Sequence, residues 1–251
     1  MGRNLSMDIV VYLAMTAAEF QEKGRDYPHI AWMACHFSPY GTGLSNLPPA
    51  LPQGSILMLN DRTPVAGHDP AQIAQQMQEL AEEFSCDGIV LDFQRPNDPQ
   101  TRRIASCVCD LPCPVAVTPA YAEGLAGAVL LPPVPMTTLP EDHFAPWKGR
   151  EIWLEVAPEC HCIRITKEGS RESEDLQSDF PCPHIDAKLH CRYGMDIQKD
   201  YVDFHLRRDE EQLRALLKTS ESFGVCRFVG LYQELSAFAQ WDAADTARFQ
   251  P

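Results

Sequence analysis

Between residues 87 and 94 the chain reads Asp-Gly-Ile-Val-Leu-Asp-Phe-Gln. In an extended strand successive side chains alternate, which sends Val90, Asp92 and Gln94 to one side and Ile89, Leu91 and Phe93 to the other. A carboxylate and an amide ending an otherwise apolar strand are costly unless they meet partners. They suit a polar ligand: Asp92 accepts hydrogen bonds, while Gln94 both donates and accepts. The plain structural role for the pair is to bond to each other and fill the end of the strand. Further carboxylates stand at or near the ends of apolar runs: Asp61, Glu155, Glu159 and Glu234. Glu155 shares a side of its strand with Trp153, and an acid beside an indole in a dry pocket has its pKa raised toward that of a general acid. The commoner role for such a group is a structural ion pair, here with Arg150, Arg95 or a buried lysine. Tyr121, Tyr232, Trp32 and Trp153 add rings that suit the apolar face of a sugar, although aromatics in such runs more often pack as core.

A second set of chemically able residues lies further on. Cys160, His161, Cys162, Cys182, His184, His190 and Cys191 fall in one short region and include the soft ligand types that zinc prefers. No C-x-x-C pair occurs among them, so no metal is expected, and Cys160, Cys162, Cys182 and His184 are the residues that would supply one. The chain has ten cysteines. Without an apolar leader at the start of this sequence, reduced thiols are the expectation, several of them as small core residues.

The elements that must position these groups follow from apolar runs separated by turn residues. Eight strands are expected at Asp8 to Leu13, Ile30 to Phe37, Ser55 to Asn60, Gly88 to Phe93, Pro114 to Thr118, Ala128 to Leu131, Glu151 to Val156 and Cys226 to Tyr232. Their near-continuous apolar character is that of strands covered on both faces, as in a parallel sheet. Asp69 and Pro70 open a helix carrying Ile73, Met77, Leu80, Ala81 and Phe84, and Asp209 opens another carrying Leu213, Leu216 and Leu217 that ends near Gly224. Elsewhere the gaps are thin: Tyr121 to Gly127 has room for hardly one turn, and the Pro-rich stretches at 48 to 52 and 132 to 140 are expected to be loops. From Glu159 to about Arg208 the pattern changes to short alternating segments at Cys160 to Thr166, Lys188 to Ile197 and Tyr201 to Leu206. We expect an antiparallel β insertion there, with a hairpin at Ile197 to Tyr201 and a mobile loop over the polar stretch Lys167 to Asp179.

The 87–94 segment resembles the fourth-strand signature of family 18 glycoside hydrolases, a family that includes chitinases, usually written D-G-x-D-x-D-x-E. Its place in the strand order is similar too, as are the runs Ile9 to Leu13 and Pro28 to Ala34 to the family's first two strands, and the β insertion falls where that family commonly carries one, after strand seven. The resemblance implies a (β/α)8 barrel whose terminal Glu protonates the leaving oxygen while the neighbouring Asp orients the substrate's own acetamido group. Asp87 and Asp92 match the first and third carboxylates, but Val90 and Gln94 replace the second carboxylate and the acid. An amide has no proton to deliver near neutral pH, and loss of a positioned acid removes a factor of about 10²–10⁴ in rate.

Composition narrows the classes. A formal net charge of −14 and the lack of clustered Lys and Arg exclude a nucleic-acid surface. No run approaches the length of a membrane span, and a cytoplasmic place is expected. The opening Met-Gly-Arg-Asn-Leu-Ser fits the myristoylation pattern at Gly2 with Ser6, a chance match at this length. No Gly-rich phosphate loop or nucleophile elbow is present, so no cofactor is expected. The expectation is therefore one domain over 1–251, an eight-stranded TIM-like barrel with an incomplete helical ring and a β-rich insertion at 159–208. Its cleft binds a glycan or small polar ligand through Asp92, Gln94, Tyr121, Tyr232 and Asp61. As an enzyme it would use a relocated acid, Glu155 or Glu234, with Asp92. As a scaffold it would act through the Cys/His-rich insertion.

Overall fold

The computed structural model describes residues 9–41, 43–95, 98–174 and 179–236. Eight parallel strands close on themselves: β1 (Val11–Met15), β2 (Ile30–Phe37), β4 (Ile56–Asn60), β5 (Gly88–Asp92), β6 (Val115–Val117), β7 (Ala128–Leu131), β8 (Ile152–Glu155) and β14 (Val225–Leu231), with β1 pairing both β2 and β14. A two-residue strand, β3 (Leu44–Ser45), adds antiparallel to β2. All eight expected strands are found. The first begins later than its apolar run, and Asp8, like Gly2 and Ser6, lies outside the described residues.

Alternation fills the barrel. Tyr12, Ala31, Met58, Val90, Leu130 and Trp153 belong to one buried interior cluster. Trp153 is the bulkiest of these and needs room from its neighbours: a Cβ on Gly88 would lie 2.6 Å from its ring and 2.9 Å from the Pro114 carbonyl. Its indole N–H donates to Glu151 at 2.8 Å and the Arg227 guanidinium sits 4.7 Å from its ring centroid, which anchors the ring at the amino-terminal end of the strands.

Helices cover the barrel unevenly. Those of the barrel unit are α1 (Ala17–Lys23), α2 (Pro70–Glu83), α3 (Pro99–Cys109), and the single turns α4 (Pro119–Ala122) and α7 (Tyr232–Leu235). Asp69 caps α2 by accepting from the Ala71 N–H at 3.0 Å, and Asp98 caps α3 in the same way. Helix α1 was not expected. Its signal is a capping box, in which the Thr16 hydroxyl accepts from the Glu19 N–H while the Glu19 carboxylate accepts from the Thr16 N–H.

The chain divides into two compact units, the barrel and a second unit formed by 133–148 and 156–224. The second unit holds a five-stranded antiparallel sheet in the order β10–β9–β13–β12–β11, from β9 (Cys160–Thr166), β10 (Gly169–Glu174), β11 (His184–Asp186), β12 (Cys191–Ile197) and β13 (Tyr201–Arg207). The helices α5 (Pro140–Phe144) and α6 (Glu210–Glu221) belong to it. The expected hairpin joins β12 to β13, closed by the Gln198 N–H on the Tyr201 carbonyl at 2.9 Å. The expected mobile loop is corrected: Gly169–Glu174 is an edge strand paired with β9, and residues 175–178 lie outside the described residues. Charged residues are what a solvated edge strand tolerates, so polarity alone gave the wrong reading.

The sheet and its connections are fastened by Arg208. Its side chain is fully buried, and it donates to the carbonyls of Val134 (2.7 Å), His190 (3.2 Å) and Leu189 (3.3 Å) and to the Glu159 carboxylate (3.3 Å). The ten cysteines form no disulfide. Burial pushes Cys35 and Cys86 up to about 12, so these thiols stay protonated and behave as apolar groups. Among the described residues no helix is long and apolar enough to cross a membrane.

Candidate functional site at the barrel mouth

The carboxyl ends of the barrel strands bring Asn60, Asp92 and Glu155 to the inward side, since each lies two residues beyond an interior residue, Met58, Val90 or Trp153. Asn60 and Asp92 are direct neighbours in the parallel register of β4 and β5. Asn60 is almost buried. Its amide donates to the carbonyls of Cys35 (2.9 Å) and Met33 (3.4 Å), where β2 slips register against β4, and this satisfies backbone oxygens that the irregularity would otherwise orphan.

Asp92 is bonded to the Gln94 side-chain amide, which donates to its carboxylate. Gln94 itself is exposed. Its backbone is held by Asp61: the carboxylate is 1% exposed and accepts the N–H groups of Gln94 at 3.0 Å and Arg95 at 2.9 Å. The structure thus places Asp61 beneath the chain that follows β5, with each oxygen engaged. Replacing Asp61 by alanine strands two backbone donors and should cost about 1–2 kcal/mol. The check is hydrogen exchange at Gln94 and Arg95 with the urea midpoint; unchanged protection at both amides would refute the assignment.

Glu155 is the most perturbed carboxyl of the mouth. It is half-buried, and its pKa is pushed up to about 7, first by burial and then by the negative charge of Asp92. Among the described residues, neither a cation nor a hydrogen bond offsets these effects. The arginines proposed as its structural partners are engaged elsewhere: Arg150 donates to the carbonyls of Ala122 and Leu125, and Arg95 to that of Arg62. Asp92 and Glu155 are therefore two carboxyl groups in one mouth, one of which holds its proton near neutral pH.

The remaining predicted residues are placed differently. Tyr121 is 1% exposed; its hydroxyl donates to the Arg95 carbonyl and its ring meets Phe93 edge-on at 5.7 Å. Tyr232 lies in α7, half-buried, with its ring edge-on to Tyr27 at 5.6 Å. Glu234 is exposed on the same turn. Asp87 precedes β5 at the opposite end of the strand from Asp92, about 17 Å away at the rise of an extended chain, and accepts from the Tyr12 hydroxyl at 3.0 Å. Burial and that bond push Tyr12 up to about 12. Asn60 was missed by sequence reading, although an amide ending the apolar run Ile56–Asn60 carries the same signal as Asp92.

In the second unit the structure separates the predicted ligand set. His184 pairs in register with Tyr193, in the row that runs through Leu206 to His161. Cys162 pairs with His205, one residue out of that row and so on the opposite face. Cys160 shares the face of Cys162 but lies opposite Arg207. Cys182 is buried, with its thiol 3.5 Å from the His205 carbonyl.

No family model matches the chain, and no curated protein matches it in sequence. Solved structures do. A chitinase from Chromobacterium violaceum is 11% identical with a TM-score of 0.55, over 97% of this chain and 100% of that one. A GH18 chitinase from Cycas revoluta in complex with (GlcNAc)3 is 10% identical with a TM-score of 0.55, over 95% and 99%. A chitinase-like agglutinin from Robinia pseudoacacia is 10% identical with a TM-score of 0.53, over 91% and 98%. At such identities the likeness is one of fold, and the fold of this chain is a chitinase-like TIM barrel.

Proposed function

We propose that the protein is a family 18-type barrel that binds a glycan at the carboxyl ends of its strands. Asp92 accepts hydrogen bonds from ligand amide or hydroxyl groups, Gln94 donates and accepts beside it, and protonated Glu155 donates from across the mouth. The observation that carries this reading is the pair of carboxyl groups, Asp92 and Glu155, on the inward side of one barrel end, an arrangement that costs stability and is concentrated at functional sites. The resemblance of the 87–94 segment and the likeness to sugar-bound and agglutinin barrels support the ligand class. With Gln94 at the position of the family's acid, the protein binds without the family's reaction.

Titration calorimetry with N-acetylglucosamine oligomers is the test. Binding should be saturable, and Asp92→Ala should weaken it about tenfold, the value of one lost hydrogen bond to a charged acceptor. Oligomers that bind the wild type and this variant equally would sink the proposal.

One observation favours hydrolysis as a second reading. A carboxyl with a pKa of about 7 is matched to general-acid work, and Glu155 is the relocated acid that such a reaction would use. The reading requires turnover of these oligomers that declines as pH rises through 7 and disappears in Glu155→Gln; products unchanged by that substitution would exclude it.

A further inference from the structure

On the opposite face of the insertion sheet from the Met136, Cys191 and Leu206 cluster, three side chains of different chemistry converge. Cys162 on β9 and His205 on β13 are direct cross-strand partners, and Asp203 stands two residues before His205 on the same face. One ligand atom from each lies within 4.8 Å of the others. We propose that Cys162, Asp203 and His205 form a binding site for a soft divalent metal ion, Zn²⁺ being the best match to a thiolate, an imidazole and a carboxylate.

Three features of the cluster suit a bound metal ion. The first is geometry. Ligand atoms of a tetrahedral zinc are about 3.5 Å apart, from bond lengths of about 2.0–2.3 Å, so small χ rotations of side chains already gathered within 4.8 Å close the shell. The second is shelter. Phe180 stacks on the His205 ring at a centroid distance of 4.0 Å and an angle of 14°, which fixes the ring plane. The strand position beyond His205 is Gly194, where a Cβ would lie 2.2 Å from the Pro181 carbonyl and 2.9 Å from the Phe180 ring; its lack of a side chain lets the 180–182 segment lie against the sheet.

The third is the state of the carboxylate. Asp203 is 6% exposed and gripped by Arg164, whose Nε and Nη2 donate at 2.8 and 2.7 Å, while the guanidinium stacks over Tyr201 at 4.1 Å. That fork uses one lone pair on each oxygen. A carboxylate has about four acceptor positions, so the others remain for a metal, and the arginine orients the ligand as outer partners of metal sites commonly do. Three protein ligands leave a fourth position for water or an exogenous ligand.

The test is titration of chelator-washed, reduced full-length protein with cobalt(II), which reports thiolate ligation by a near-ultraviolet charge-transfer band and tetrahedral geometry by its visible bands. One equivalent with both signatures is expected, and Cys162→Ser and His205→Gln should each abolish the charge-transfer band or weaken binding at least tenfold. Circular dichroism identifies a variant that fails to fold, in which case the other decides. Absence of the band in the wild type, its persistence in a folded Cys162→Ser protein, or undiminished affinity in a folded His205→Gln protein overturns the proposal, because ten cysteines offer other places for adventitious cobalt.

Discussion

Replacing Arg208 with alanine will destabilise the β-rich unit by about 3–5 kcal/mol, the range for breaking a buried, fully engaged ion pair. The guanidinium donates to three carbonyls and one carboxylate while wholly excluded from water. Burial lowers its pKa, and Glu159 acts in the opposite sense. Truncation removes the donor from the Val134, His190 and Leu189 carbonyls and leaves a cavity the size of a long side chain. Lysine is expected to recover only a small part of the loss, since its single ammonium cannot span acceptors that the planar fork reaches together. Hydrogen exchange across β12 and β13, with urea unfolding, measures the effect; a loss under about 1 kcal/mol, the worth of a single exposed pair, would show that Arg208 is dispensable.

Glu155→Gln should change how stability depends on pH. The folded-state pKa of Glu155, about 7, lies above the ordinary 4.5, so the folded protein binds more protons than the unfolded chain between these values. By linkage, stability falls as pH rises through that window. At pH 4 the variant and the wild type should be alike in this respect. Above pH 7 the variant should be the more stable by up to about 3.5 kcal/mol, because each tenfold difference in proton affinity between the folded and unfolded states is worth about 1.4 kcal/mol. Asp92→Asn removes the like charge and should lower the Glu155 titration, by less than the contribution of burial. Urea midpoints from pH 4 to 8 supply the measurement, and parallel curves for wild type and Glu155→Gln would contradict it. The same titration governs the mouth as a donor: the Glu155 proton is available below pH 7 and lost above it.

The barrel was readable because each of its strands is a compact apolar run, and the pleat alone fixes which residues face in. From this came the inward side of Asp92 and Glu155, with Trp153 two residues before Glu155 on the same side, whereas Gln94 lies beyond the end of β5 and is exposed. Helices were readable where a cap and an apolar stripe coincide, as at Asp69 and Asp209. Helix α1 escaped because its stripe is too short, even though Thr16 and Glu19 spell a capping box. Strand β10 escaped for the opposite reason: an edge strand buries little, so nothing in Gly169–Glu174 betrays pairing.

The chemistry was divided in the same way. Local sequence determined the residue types at the strand ends, and with them the absence of a titratable acid at position 94 and the presence of one at 155. Only the tertiary structure decided partners, because these come from residues far apart in the chain. Asp61, the residue after β4 and 33 positions earlier in the chain, holds the Gln94 N–H. Arg150 and Arg95 turn to backbone carbonyls and leave Glu155 facing Asp92, so that its raised pKa depends on closure of the barrel rather than on any neighbour in sequence. Cys162 and His205, far apart in the chain, meet through one antiparallel register, whereas His184 is carried to the other face. Alternation within a strand is a property of the backbone and can be read locally; register and closure belong to the whole chain, and they decide which charges meet.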